Sequence, residues 1–460
     1  MNTLRFSHRA PKRLLRLSAG LALVAVLGAA CGRGGDSGTA VRATPQAAPA
    51  SAASSVDHAA LHGSQQTLGQ TAGGVSDGAA KLRQTLTAAL QEHEYLAGIA
   101  VAQAVVTKKT DSPEFTAAAA ALDKNSVALS EAIASIYGKG AGDAFLPLWR
   151  KHIGFFVDYT VGKLTNDAAK AAKAKTDLDG YRSDFGAFLA SANPNLTKEA
   201  VADALVPHVT ATFDAIDGVV AGDGTGFEKL RVAAGHMPML ADTLAGAIAK
   251  QYPAKFSGDA DSAASGLLAT LTAALQEHEY LAGIAVDMAA ITRDPNSATF
   301  KAAADALDKN SVALADAVNS LYPGTKDVFL ASWRKHIGFF VDYTLGKLTN
   351  DAAKAAKAKT DLDGYRADFG ALLNSVNPNL PKAAVAEALI PHVTATFAAI
   401  DAVTAGDGTG FEKLRIAAGH MPMLATTLAG AIARQFPDKF PAGAASPGGS
   451  SSGSDLPQTH

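Results

Sequence analysis

Hydrophobic positions recur every three or four residues through most of residues 77–440, and they never alternate with period two over a useful length. From Leu86, for example, Leu86, Ala89, Leu90, Leu96, Ala97 and Ala100 fall on one helical face. The pattern predicts an all-α protein without a sheet. Six helices are predicted in the first stretch, over roughly 77–106, 113–136, 142–164, 167–192, 197–221 and 225–250. The breaks between them carry turn and cap chemistry: Asp111-Ser112-Pro113, Gly138 to Gly142, Asn193-Pro194-Asn195 and Gly222-Asp223-Gly224. Thr197, and later Pro381, open the fifth helix as a cap and a first-turn proline.

The whole pattern then occurs again. LTAALQEHEYLAGIAV from Leu86 returns from Leu271, WRKHIGFFVDYT from Trp149 returns from Trp333, and PHVTATF from Pro207 returns from Pro391. The offset is 185 residues early in the unit and 184 later; the lost residue falls where YGKGAGDAF becomes YPGTKDVF, as a loop should. The expected architecture is two tandem helical-bundle domains of about six helices each, residues 71–255 and 256–440. Copies this similar preserve even surface lysines, so shared residues say little about need. Drifted segments say more: AVAQAVVTKKTDSPEF has become AVDMAAITRDPNSATF, while the adjoining EHEYLAGIAV is unchanged.

The ends of the chain read differently. Arg5, Arg9, Lys12, Arg13 and Arg16 precede an apolar stretch, Leu17 to Ala30, too short to span a bilayer as a mature helix. It ends at Cys31, the only cysteine. Residues 1–30 are expected to be a signal peptide and Cys31 a lipidation site, although Gly28 stands where such sites prefer leucine. One cysteine permits no internal disulfide. No second long apolar run is expected, so the chain is read as anchored to a membrane rather than spanning it. Residues 31–70 and 441–460 are poor in apolar periodicity and rich in small residues, and are expected to be a disordered tether and tail. His8, His58, His62 and His460 fall in these ends and are given no role. Five of the 41 basic residues precede Cys31, which leaves 36 against 43 acidic ones, a charge near −7. With no basic patch, nucleic acid is not an expected partner.

Eight of the twelve histidines lie in the repeats at equivalent positions: His93, His152, His208 and His236, then His278, His336, His392 and His420. Each shares a helical face with apolar residues, His152 with Phe145, Trp149, Phe156 and Tyr159. A buried imidazole without partners costs roughly 1–3 kcal/mol. One answer is a transition metal, copper or zinc first and haem second, held inside each bundle. On that reading Met239 and Met423 join the histidines, because they share the face of His236 and His420 whereas Met237 is rotated by about 100°. Pro207 and Pro238 break the helix beside two of the histidines. The competing answer is that each histidine is satisfied separately and merely holds the core, with a pH-responsive core as a third reading. Glu92 and Glu94 point to either side of His93 and are expected to be solvated or outside the ligand set.

Other chemistries lack their residues. There is no Glu-x-x-His, no His-Glu-x-x-His and no Cys-x-x-Cys-His, and no nucleophile–base pairing is legible, so no enzyme is expected. Gly222 to Gly226 follows no strand and reads as a loop rather than a phosphate cradle.

EHEYLAGIAV, WRKHIGFFVDYT, DLDGYRSDFGAFL and GHMPMLADTLAGAIAKQYPAKF resemble a helical domain of exported bacterial proteins. Some of those carry a copper amine oxidase-like label through an attached domain. The resemblance covers residues 77–440 and implies no established activity; the chain lacks the Asn-Tyr pair an amine oxidase would need. The expectation is an exported lipoprotein, on the outer face of the cell membrane or in the periplasm or outer membrane, that binds copper or zinc in each repeat. The alternative is a non-catalytic interaction module of the cell envelope.

Overall fold

The structure, a computed structural model, describes residues 74–441. The expected signal, Cys31, the tether to residue 70 and the tail beyond Pro441 lie outside them, as do His8, His58, His62 and His460. Among the described residues every regular element is a helix and none is a strand, as the 3.6-residue period predicts.

The first repeat comprises α1 (Gly78–Thr107), α2 (Pro113–Tyr137), α3 (Lys139–Leu164), α4 (Ala168–Ala192), α5 (Lys198–Ala204), α6 (Val206–Ala221), α7 (Gly226–Gly235) and α8 (Met237–Gln251). The second comprises α9 (Ala263–Thr292), α10 (Ala298–Leu321), α11 (Lys326–Leu348), α12 (Ala352–Val376), α13 (Lys382–Ala388), α14 (Ile390–Ala405), α15 (Gly410–Ala418) and α16 (Met421–Gln435). Local chemistry sets the ends. Ser112 and Thr197 each accept a backbone N–H of the first turn they cap. Gly222 closes α6 in the left-handed region at φ 62°.

Eight helices per repeat arise where six are predicted because two of the six are divided. Pro207 and Pro238 have no N–H for the preceding turn, and the chain restarts a helix at Val206 and at Met237, with the proline in its first turn. The histidines stand at these joints: His208 in the first turn of α6, His236 between α7 and α8.

Within its repeat α1 packs on α2, α7 and α8, and across the boundary it packs on α9. Along α1 and α9 the partners advance together: Gln84 reaches Thr272, Tyr95 stacks on Tyr280 and Gln103 hydrogen-bonds Asp287. The two helices therefore run parallel, and the contacts between repeats are reciprocal. Tyr95 Oη donates to Glu277 and Tyr280 Oη to Glu92, both at 3.1 Å. Arg231 Nε meets Glu277 and Arg415 Nε meets Glu92, both at 2.6 Å. One apolar cluster draws on both halves, with Leu96, Ile99 and Phe227 beside Leu281, Ile284 and Phe411.

Two stretches, Lys382–Ala405 and Gly410–Gln435, are long and apolar enough by composition to cross a membrane, contrary to the expectation that no long apolar run follows the signal. Each is two helices broken at a joint, and Val385, Val393, Ile400 and Leu424 from them lie in the core of the second repeat. Their hydrophobicity is that of helices packed inside a bundle.

Candidate metal centre

His93 stands near the middle of α1 and His152 near the middle of α3, where each falls on the buried face of its helix. Their Nε2 atoms are 3.2 Å apart, and in the second repeat His278 Nε2 and His336 Nε2 are again 3.2 Å apart. Aromatic rings wall the pair: Trp149 lies 4.7 Å from His93 and 4.5 Å from His152 between centroids, and Tyr181 lies 5.1 Å from His152. The Trp149 carbonyl lies close to the His152 ring and opposes its loss of basicity, but Nδ1 of neither histidine has a hydrogen bond of good geometry.

Burial, and after it the nearby His208, lowers His93 to about 3. Burial, then His93 and His208, holds His152 well below the usual imidazole range. Both rings are therefore neutral at pH 7, and at this distance one Nε2–H donates to the other Nε2; with both protons on Nδ1 instead, the two Nε2 lone pairs would face one place. Two nitrogens bound at about 2.0–2.1 Å to one tetrahedral ion lie about 3.3–3.4 Å apart, close to the spacing found.

His208 turns Nδ1 toward Glu94 Oε2 at 3.6 Å, and Thr212 Oγ1 donates to Glu94 Oε1 at 3.1 Å. The second repeat repeats this with His392, Glu279 and Thr396 at 3.4 and 3.0 Å. Burial raises Glu94 to about 8 despite the Thr212 bond, and burial with His236 lowers His208 to about 4. Acid and imidazole are thus both uncharged at pH 7, and the contact is a polar one rather than an ion pair. Removing water disfavours either charge.

In the second repeat His278, His336, His392 and Met421 border one cavity of about 20 Å³, closed by Trp333 and Tyr365. That is room for one water or small ion and none for a haem. Among the described residues no three His, Cys, Asp or Glu side chains are already arranged to hold a metal ion. The sequence-predicted set is thus partly assembled: His93 and His152 meet, His208 adjoins them, and His236 is half-buried beside His208.

One expectation is corrected and another is narrowed. Met239 does not share the interior with the histidines: it is 57% exposed, Met423 is half-buried, and Met237 and Met421 are buried instead. The packing of α8 on α1 sets its buried stripe as Met237, Leu240, Ala241, Ala245 and Ile248, one position away from the face of His236. Of the two readings of Glu92 and Glu94, solvated or outside the ligand set, burial removes the first. Glu94 is buried against His208, and Glu92 accepts from Asn125, Tyr280 and Arg415 at the repeat boundary. Helical phase directs these acids away from His93 correctly, but it could not show that other helices cover both flanks of α1. The one available signal was EHEY, unchanged beside a drifted segment. No family model, curated protein or solved structure matches the chain.

Proposed function

We propose that each repeat binds one monovalent copper ion, so that the chain is a two-site copper-binding protein without catalytic activity. The observation that carries this reading is the pair of buried, neutral imidazoles with Nε2 atoms 3.2 Å apart, present in both halves. His93 and His152 would supply two nitrogens, and Met237 a soft sulfur close to the same space, with His208 able to complete the set. The equivalents are His278, His336, Met421 and His392, which border the small cavity of the second repeat.

The donor set favours copper over zinc on two grounds. Thioether sulfur is soft and suits Cu(I). The ligands are all neutral, so a single positive charge is cheaper to bring into this apolar surround than a double one. Read with a lipidated Cys31, the protein would hold copper at the outer face of a membrane.

The test is metal content after anaerobic loading with ascorbate-reduced copper, and separately with zinc and iron, followed by dialysis and mass spectrometry. Two copper ions per chain, lost on His152→Ala with His336→Ala in a folded protein, support the reading. Retention of zinc alone would replace the metal. No retention of any metal would leave histidines that only hold the core, and the chain would then be an interaction module.

A further inference from the structure

We infer that each repeat carries a second copper site at its surface, His236 with Met239 and His420 with Met423, and that this pair is the port between solvent and the buried histidines, a role that rests on the copper binding proposed above. His236 follows α7 in helical conformation, at φ −80° and ψ −19°, and its carbonyl accepts from Leu240 N at 3.3 Å. The turn from 236 to 240 is therefore helical, and Met239 stands three residues beyond His236, where side chains on one face are neighbours. That face looks outward. Met239 is 57% exposed, Val232 on the preceding turn 51%, and His236 between them is half-buried. In the second repeat Ile416 is exposed, and His420 and Met423 are half-buried.

Three donors within four residues thus step from solvent to the interior. Met237 lies about 200° round the helix from Met239 and is buried. Its counterpart Met421 borders the cavity shared by His278, His336 and His392. His236 stands at the joint between the two sides: it adjoins His208, and its buried Nδ1 has no hydrogen bond. Thioether and imidazole both suit Cu(I). Arg366 on α12 also borders the cavity, its guanidinium partly exposed and paired with the exposed Asp363. That helix offers a permanent positive charge and no soft donor, so a cation enters by the histidine joint.

A single exposed apolar residue is ordinary, but Met239 is set against the one histidine of its repeat that is not fully buried. The surroundings of that pair have drifted between copies, with Val232 now Ile416 and Asp242 now Thr426, while Gly-His-Met-Pro-Met-Leu is unchanged. Two donors open to water hold copper weakly and exchange it fast, whereas the buried set retains it. Such a port speeds entry and exit alike and leaves the equilibrium affinity of the buried site untouched, which separates it from a ligand of that site.

The test is anaerobic stopped-flow mixing of the full chain with acetonitrile-stabilised Cu(I), followed by the emission of Trp149 and Trp333, which lie against the histidine pairs. Removal is read by the colour of the copper complex formed with excess bicinchoninate. Met239→Leu with Met423→Leu should slow loading and removal by the same factor, at least tenfold, with the affinity held within twofold. Val232→Thr with Ile416→Thr alters the same exposed stripe without touching a donor and should leave both rates within twofold. In the His152→Ala, His336→Ala chain, where the buried site is disabled, Cu(I) should still shift the Met239 and Met423 methyl resonances. Those shifts report the surface site by itself and copper retention by the unaltered chain reports the buried one, so the two readings fail separately. Unchanged rates in the methionine variant, equal slowing in the Val232→Thr chain, or methyl resonances that Cu(I) leaves in place would overturn the proposal.

Discussion

The Tyr95 ring stacks on the Tyr280 ring across the boundary between the repeats, with centroids 5.4 Å apart and planes 13° from parallel. Each hydroxyl donates to a glutamate of the opposite repeat. The four residues Glu92-His93-Glu94-Tyr95 therefore divide their work around α1. Glu92 and Tyr95 fix the helix to the other half, while His93 and Glu94 face the interior of their own. His93 of the pair consequently sits on a helix held from both sides, which limits the motion of its ring.

The interface acids should matter more than the tyrosines that bond to them. Glu92→Ala strands Arg415, Asn125 and Tyr280 at once. Breaking a buried ion pair costs about 3–5 kcal/mol, and because the Arg415 side chain keeps 23% exposure we expect about 2–4. Tyr280→Phe removes one hydrogen bond to a charged group and should cost about 1.5–3 kcal/mol or less. Urea unfolding of both variants checks the order; an equal or reversed ranking would show that Glu92 does not organise the boundary.

Copper binding should be visible without a label. The chain has two tryptophans, and each lies against a histidine pair, Trp149 at 4.7 and 4.5 Å and Trp333 at 4.8 and 4.6 Å between centroids. Loading should quench their emission, and His336→Ala should leave Trp149 alone responsive. Met237→Leu with Met421→Leu should weaken copper binding at least tenfold, whereas the exposed Met239→Leu should change it less than twofold. Equal effects from the buried and exposed methionines would remove sulfur from the proposed ligand set.

Stability should peak between about pH 6 and 7 and fall on both sides. His93, His152 and His208 are held below their ordinary 6.5 by burial, as are His278, His336 and His392. As pH drops below 6.5 the unfolded chain takes up protons that the folded chain refuses, so folding weakens. Glu94 and Glu279 are raised from 4.5 to about 8, so the stability they give is complete below 4.5 and is lost as pH rises through 8. Three histidines outweigh one glutamate in each repeat, which makes the acid limb the steeper, at about 1.4 kcal/mol per pH unit for each net proton. Melting temperatures from pH 4 to 9 measure the curve. Glu94→Gln with Glu279→Gln should flatten its alkaline side; an unchanged alkaline side would mean these acids ionise freely in the fold.

Two glycines of α4 should respond with opposite sign. A Cβ at Gly186 would lie 2.3 Å from the Lys198 carbonyl oxygen, and backbone cannot yield as a side chain does. Gly186→Ala should cost about 1–3 kcal/mol from overpacking. Gly180 has nothing within 4 Å of the same position, so Gly180→Ala should stabilise by up to about 1 kcal/mol through helix propensity. Thermal melts of the two variants decide it, and a gain at Gly186 would show that α4 and α5 are free to separate.

The sequence by itself determined what depends on near neighbours. The helical period, the duplication, the caps at Ser112 and Thr197, the break at Gly222 and the inward face of His93 and His152 all follow from residues within about one or two turns. The prolines at 207 and 238 likewise announced a disturbance, though not that each would divide a helix in two.

Only the tertiary structure decided which buried groups meet. Phase places His93 and His152 inward on separate helices, but the packing of α1 on α3 sets the 3.2 Å between them. It could not foresee that Met237 would be buried and Met239 exposed, because the face α8 shows to α1 is chosen by side chains far along the chain. The largest omission was the boundary between repeats. A periodic stripe tells which face of a helix is apolar, and on that measure Glu92 and Glu94 fall beside the stripe, where solvated and merely outside the ligand set read alike. They are buried because a second copy of the same helix brings Tyr280 and Arg415 to one, while Thr212 and His208 cover the other. Whether a charge is buried depends on the partner that compensates it, and those partners stand between 114 and 323 residues away.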